Sequence, residues 1–131
     1  MSEEKVPNEL RYTKSHEWVK VEGETATVGI TDHAQAQLTD IVFVDLPSPG
    51  KSVSGGSSAL VLESVKTVAD VKSPGSGAVS EVNGELKAHP ELVNQDPYGR
   101  GWIFKLKLSE PLPADAVIDA AGYRAFVASG G

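Results

Sequence analysis

Between Leu10 and Leu108 apolar residues fall mainly at every second position, the period of a strand with one face in a core. The runs LRYT and HEWVKV lead through a turn at Glu22-Gly23-Glu24 into TATVGI, which predicts a hairpin. Thr31 or Asp32 can then cap a short helix over HAQAQL, because a side-chain oxygen there accepts from the free amides of a first turn. IVFVDL, from Ile41 to Leu46, predicts a buried strand closed by Pro47 and Pro49, which cannot continue a ladder. After the turn-rich PGKSVSGGSS come ALVLES and TVADVK, two strands meeting at Lys66, and then the alternating GAVSEVNGEL. Pro90 can start a short helix over ELVN, Asp96-Pro97-Tyr98-Gly99 makes a turn, and WIFKLKL is a strand with Trp102, Phe104, Leu106 and Leu108 on one face. ADAVIDAAGYRAFVA is apolar at helical spacing and predicts two short helices separated at Gly122.

This order of elements predicts a flexible lead-in over 1–9 and one mainly β domain over 10–131, with short helices including one at the C-terminus. SPGKSV from Ser48 is echoed by SPGSGAV from Ser73, each leading into a strand. By chance or by descent, the echo would suit two similar small sheets facing each other in a flattened sandwich-barrel with quasi-two-fold symmetry.

The chain has 131 residues, enough for one core and too few to expect two. A net charge of −6 argues against binding nucleic acid or an anionic membrane through a basic face, and suits a protein that docks on others. There is no cysteine, hence no disulfide framework, thiolate metal site or thiol nucleophile. No apolar stretch approaches the roughly 18 residues of a membrane span. MSEEKVPNEL reads as neither a signal nor a transit peptide, so a bacterial-type cytoplasm is expected.

Several fragments imitate known chemistry. Gly50-Lys51-Ser52 ends like a phosphate loop, but Asp45 stands where that loop needs glycine, and a carboxylate repels phosphate. Gly75-Ser76-Gly77 has Ser80 at the third glycine position of a dinucleotide loop and precedes a strand, not a helix. His16-Glu17 is followed by Lys20 where a zinc helix has its second histidine, and the three histidines, His16, His33 and His89, have no shared metal spacing. No metal site and no catalytic residue are expected.

Lys66 remains. At a hairpin tip nothing strips water from its ammonium, and Glu63 and Asp70 nearby are anions, so it lacks the freed lone pair of a Schiff-base or general-base lysine. A protruding lysine suits another use, attachment of a prosthetic group by a separate ligase. Val65 and Thr67, both β-branched, hold the flanking backbone extended. Left to these residues alone, a solvated turn lysine in an unmodified binding module stays open beside the carrier.

Glu63-Ser64-Val65-Lys66 followed by SPGSGAVSEVN resembles the lipoylation site of the glycine cleavage system H proteins. The likeness runs through SHEWVKVEG, TVGITDHAQAQLTDIVFVDLP, ELVNQDPYGRGW and DAAGYRAF, from about Leu10 to Phe126. Biotin carriers usually place methionines around their lysine, and 2-oxo acid dehydrogenase lipoyl domains usually place Asp before it; Val65 and Thr67 match neither. Thr39 is a departure, since such proteins often have glycine before the buried strand.

The resemblance implies a barrel-sandwich hybrid of the lipoyl/biotinyl-carrier type and lipoate in amide linkage to Lys66, with Glu63, Ser64, Val65 and Thr67 forming the attachment motif. Counting about eleven bonds from Cα to the dithiolane gives an arm of roughly 14 Å. It implies a non-catalytic, monomeric shuttle of glycine catabolism. A pyridoxal-phosphate glycine decarboxylase would load aminomethyl, a tetrahydrofolate-dependent aminomethyltransferase would take the methylene, and dihydrolipoyl dehydrogenase would reoxidise the dithiol. A lipoate ligase or octanoyl/lipoyl transferases would install the group. Because aminomethyl is cationic and liable to hydrolysis, a sheltering cleft with a carboxylate is expected, with Glu17 and Asp70 as partners and Ser15 and His33 as further candidates. Trp18, Trp102 and Tyr98 are read as packing residues. A lipoyl relay or biotinyl carrier of the same fold in another pathway is the alternative.

Overall fold

The computed structural model describes residues 5–131, so the first four residues of the expected lead-in lie outside the described residues. Its strands are β1 (Arg11–Tyr12), β2 (Glu17–Glu22), β3 (Thr25–Ile30), β4 (Ile41–Asp45), β5 (Ser52–Val53), β6 (Ser58–Ser64), β7 (Val68–Lys72), β8 (Gly77–Val82) and β9 (Phe104–Leu108). Four helices interrupt them: α1 (Asp32–Leu38), α2 (Glu85–Ala88), α3 (Leu92–Gln95) and α4 (Ala120–Ala128).

The strands form two antiparallel sheets, β1-β2-β3-β9-β8-β5 and β4-β6-β7. Between them lies the main core: Val19, Val28, Val79, Phe104 and Leu106 of the larger sheet meet Val44, Leu60, Leu62 and Val71 of the smaller. Burying a side chain such as Leu62 is worth about 1.5–3 kcal/mol. Because neighbouring strand residues point to opposite faces, Val19 enters this core while Trp18 emerges behind it. There α4 covers it, making a second cluster of Leu10, Tyr12, Trp18, Ala120 and Tyr123. The mainly β architecture with short helices is therefore as the alternation predicts. The echo segments become antiparallel neighbours, Ser52 opposite Ala78 and Val53 opposite Gly77. The larger sheet has six strands and the smaller three among the described residues.

Four expectations need correction. IVFVDL is buried only in part: β4 is an edge strand, bulged between Ile41 and Phe43, with Ile41 and Val44 in the core and both Val42 and Phe43 exposed. The strand over GAVSEVNGEL stops at Val82, because the Asn83 carbonyl accepts the Leu86 amide and its side chain caps Glu85, starting α2. β9 begins at Phe104, with Trp102 packed on the second cluster. Gly122 does not break the C-terminal helix: its amide donates to the Asp119 Oδ1 cap in the first turn of a single helix, and residues 114–118 are not helical. Among the described residues no helix is long and apolar enough to cross a membrane.

Candidate functional site

β6 and β7 are joined by a turn with Val65 and Lys66 at its tip, both exposed. The Ser64 amide donates to the Thr67 carbonyl at 2.8 Å. Two-residue hairpins usually need positive φ. Neither tip residue has it. The Ser64 hydroxyl supplies the missing acceptor, taking the amides of Lys66 at 3.3 Å and Thr67 at 3.1 Å. The Val65 amide donates to the Asp40 carbonyl, tying the tip to the loop before β4. Val65 and Lys66 therefore sit in a side-chain-capped bend, where β-branching alone predicts extended chain.

The tip stands among exposed apolar groups. Phe43, Glu63 and Val68 are cross-strand neighbours on β4, β6 and β7. Phe43 is 49% exposed, Val65 64% and Val68 62%, so this surface is apolar with a carboxylate in its middle. Sequence reasoning missed it, because an apolar run on an edge strand looks like a buried one.

Ser15, Glu17 and Asp70 share one cavity of about 160 Å³. Its walls are Ser15, His16 and Glu17 after the β1–β2 turn, Ala34, Gln37 and Leu38 of α1, and Ala69, Asp70 and Val71 of β7, with Ile30 and Leu62 between them. Glu17 is 1% exposed. Its Oε1 accepts the hydroxyls of Thr13 and Ser15, and its Oε2 accepts the Lys72 amide at 3.3 Å. Burial pushes this carboxyl above the ordinary carboxylate range, against the pull of the Ser15 and Thr13 hydroxyls and of Lys72 through its amide and charge. Asp70 is exposed, and its Oδ1 accepts the Ser58 hydroxyl at 2.8 Å. Glu17 is thus the desolvated carboxylate here, and Asp70 a rim group.

His33 does not line this cavity; its ring lies 4.8 Å from that of His16. His16 holds a φ of 72°, one of two non-glycine residues with positive φ among the described residues. That kink lets the chain place Ser15 and Glu17 on the same wall. The packing roles of the large aromatics hold: Trp18 is buried with Nε1 on the Pro97 carbonyl, and the Tyr98 hydroxyl accepts the Asp32 amide.

An apolar-walled cleft with one buried carboxylate, beside a stiff lysine-tipped hairpin, suits the holding of a cationic group delivered by a tethered arm. Comparison with known proteins gives the family. The family model for the glycine cleavage H-protein matches residues 10–130. The glycine cleavage system H protein of Symbiobacterium thermophilum is 54% identical over 125 residues, covering 95% of this chain and 98% of its own. That of Cronobacter sakazakii is 51% identical over 123 residues, covering 93% and 95%. A crystal structure of the Mycobacterium marinum glycine cleavage system H protein superposes with a TM-score of 0.86 at 35% identity, covering 94% of this chain and 99% of that one. The chain belongs to the glycine cleavage H-protein family, the non-catalytic lipoyl carriers of the glycine cleavage system.

Proposed function

We propose that Lys66 is the point at which the lipoyl group is joined, as an amide, and that the cleft of Ser15, Glu17 and Asp70 shelters the loaded end of the arm. The observation that carries this reading is the buried Glu17 carboxylate in a cleft reached along β7 from the Lys66 turn. At about 3.3 Å per strand residue, the four steps from Lys66 to Asp70 span at most about 13 Å, within the reach of an arm of roughly 14 Å.

When bound, a lipoyl group would supply a dithiolane able to take up aminomethyl, and after the methylene has passed to tetrahydrofolate and ammonia has left, the dithiol that remains would be reoxidised. The chain's own residues do the rest. Lys66 offers an exposed amine, and Ser64 fixes the bend that presents it to a ligase. Ile30, Leu38, Leu62 and Val71 exclude water from the cleft. Glu17 pairs with an ammonium there, and that cation in turn favours the charged carboxylate that burial alone disfavours. Asp70 adds a second negative charge at the rim.

In this reading one carrier domain over 10–131 works as a monomer in a bacterial-type cytoplasm. It visits the pyridoxal-phosphate glycine decarboxylase, the tetrahydrofolate-dependent aminomethyltransferase and dihydrolipoyl dehydrogenase, after modification by a lipoate ligase or octanoyl/lipoyl transferases. The apolar surface of Phe43, Val65 and Val68 beside Lys66 supports such visits. Coexpression with a lipoate ligase is expected to add about 188 Da to a peptide containing Lys66, lipoic acid less one water. Lys66→Arg is expected to add nothing; a mass gain elsewhere, or none in the parent, overturns the attachment. Glycine-dependent carbon dioxide exchange with the decarboxylase tests the pathway, and faster aminomethyl loss from Glu17→Gln tests the cleft.

A further inference from the structure

The Tyr123 hydroxyl sits at a junction that this reading leaves unused. Tyr123 is fully buried on α4 and stacks on Tyr12, with ring centroids 4.7 Å apart and planes 18° from parallel. Its Oη lies 2.7 Å from His16 Nδ1 and 2.8 Å from Thr31 Oγ1. His16 lines the cleft, and Thr31 caps the helix that supplies another of its walls. His16 stands between Ser15 and Glu17, and its carbonyl accepts the Thr31 amide at 3.1 Å. Thr31 caps α1 by accepting the Ala34 amide at 3.1 Å, and Ala34 begins the wall that Gln37 and Leu38 continue.

The backbone at His16 makes this tie consequential. A φ of 72° at His16 closes the short turn in which the His16 amide donates to the Thr13 carbonyl and the Thr13 amide to the Glu17 carbonyl, and the rings of His33, Tyr123 and Phe126 pack about it. Relaxing that kink turns Ser15 and Glu17 relative to α1. A hydroxyl that bonds His16 and Thr31 together resists this turn at its pivot.

We propose that Tyr123 is a positioning residue of the arm cleft: its hydroxyl pins the turn carrying Ser15 and Glu17 to the start of α1, and so sets the cleft's width and the aim of the Glu17 carboxylate. This rests on the arm-cleft reading above. Tyr123 does not itself line the cleft and acts through His16 and Thr31.

The test compares the parent, Tyr123→Phe, Tyr12→Phe and Glu17→Gln. Tyr12→Phe removes a hydroxyl from the same stack, one that donates to the Pro7 carbonyl away from the cleft. In the aminomethyl-loaded chain, Tyr123→Phe is expected to speed spontaneous release about three- to tenfold, the scale of one net hydrogen bond. In the unmodified chain, carboxyl-carbon NMR is expected to show Glu17 titrating closer to ordinary carboxylates, because water enters a loosened wall. The other titratable groups bordering the cavities beside Glu17 are Lys14, His16, Asp70 and Lys72, all retained in Tyr123→Phe. Tyr12→Phe should change neither reading.

Parent-like values for Tyr123→Phe, or equal changes in Tyr12→Phe, overturn the proposal. Fast release from Glu17→Gln with parent-like Tyr123→Phe refutes the role of Tyr123 alone, whereas parent-like release from Glu17→Gln removes the cleft reading and this proposal with it. Should Tyr123→Phe fail to fold, Thr31→Ser and Thr31→Val decide. Serine keeps the hydroxyl that meets Tyr123 and caps α1, so it should release at the parent rate, while valine keeps the shape, loses the hydroxyl and releases faster; equal rates overturn the proposal.

Discussion

Ser64 Oγ accepts the amide of Thr67 at 3.1 Å, closing the chain over Val65 and Lys66 with a side chain where most tight hairpins use backbone alone. The same oxygen takes the Lys66 amide, so one hydroxyl orders Lys66 and the residue after it. Ser64→Ala leaves these amides to water. Because the turn is exposed, stability should fall by about 1 kcal/mol or less. A modifying enzyme must then order the tip itself, at about 1–2 kcal/mol per backbone residue. With Lys66 as its substrate, KM for this chain should rise roughly five- to thirtyfold with kcat nearly unchanged, the factor that 1–2 kcal/mol sets. Initial rates of lipoylation against chain concentration, followed by intact mass, measure this; an unchanged KM means that the tip needs no ordering.

Glu17 gives the stability of the unmodified chain a pH dependence of definite sign. Burial raises its native carboxyl above the ordinary glutamate value, so folding takes up a proton between the unfolded and native values. Its contribution is complete below the unfolded value and is lost as the pH rises through the raised native one. In Glu17→Gln the amide oxygen still accepts from Thr13 and Ser15, while the amide nitrogen meets the Lys72 amide, an offset that does not titrate. Other carboxylates cancel between the two proteins. Urea midpoints at pH 4 and pH 8 should therefore show the glutamine variant gaining on the parent at the higher pH. A constant gap would mean that Glu17 is not desolvated.

Two glycines should respond to alanine with opposite signs. A Cβ on Gly77 would lie 2.1 Å from the Lys107 carbonyl oxygen and 3.1 Å from Leu108 Cα, both backbone atoms of the paired strand β9. They cannot yield without parting β8 from β9, so Gly77→Ala should cost about 1–3 kcal/mol or more. Gly84 has a φ of −62° and nothing within 4 Å of such a Cβ. There alanine restricts the unfolded chain and should stabilise by about 0.4–1 kcal/mol. Thermal unfolding of the two variants checks both signs.

Much of this was legible in the sequence where one physical rule governed several residues at once. Alternation located β2, β3 and β9, and the Thr31 cap located α1, because both follow from local geometry. The tip position of Lys66 followed from two strand runs meeting there, whereas the grouping of Glu17 and Asp70 with Ser15 and His33 came after the resemblance, and His33 does not join it: Glu17 and Asp70 are far apart in the chain and meet only when the sheets pack. What stayed hidden depends on neighbours. The exposure of Phe43 follows from its strand lying at an edge, the packing about His16 comes from residues of α1 and α4, and α2 follows from Asn83 reaching the carbonyls of Arg100 and Trp102.

Thr39 is the one departure from the family pattern noted in the sequence, and the structure gives it a cost. It ends α1 with φ 62° and ψ −152°, a region that glycine enters freely and a β-branched residue enters under strain. The surroundings hold it there: its amide donates to the Gln35 carbonyl at 2.9 Å, and its own carbonyl accepts Asn94 Nδ2 at 2.8 Å. Asn94 also accepts the Ile41 amide, so this clip fixes where β4 begins. Strain of this kind costs about 1–3 kcal/mol. Glycine removes it, although its greater freedom in the unfolded chain returns about 0.5–1 kcal/mol. Thr39→Gly should therefore stabilise by about 1 kcal/mol, a rise in Tm of roughly 3–5 °C for a chain of this size. Thr39→Ala keeps the Cβ and with it most of the strain, so it should gain less than glycine. If alanine matched or exceeded glycine, the positive φ at Thr39 would carry no strain, and the gain would have to come from losing the threonine's branch.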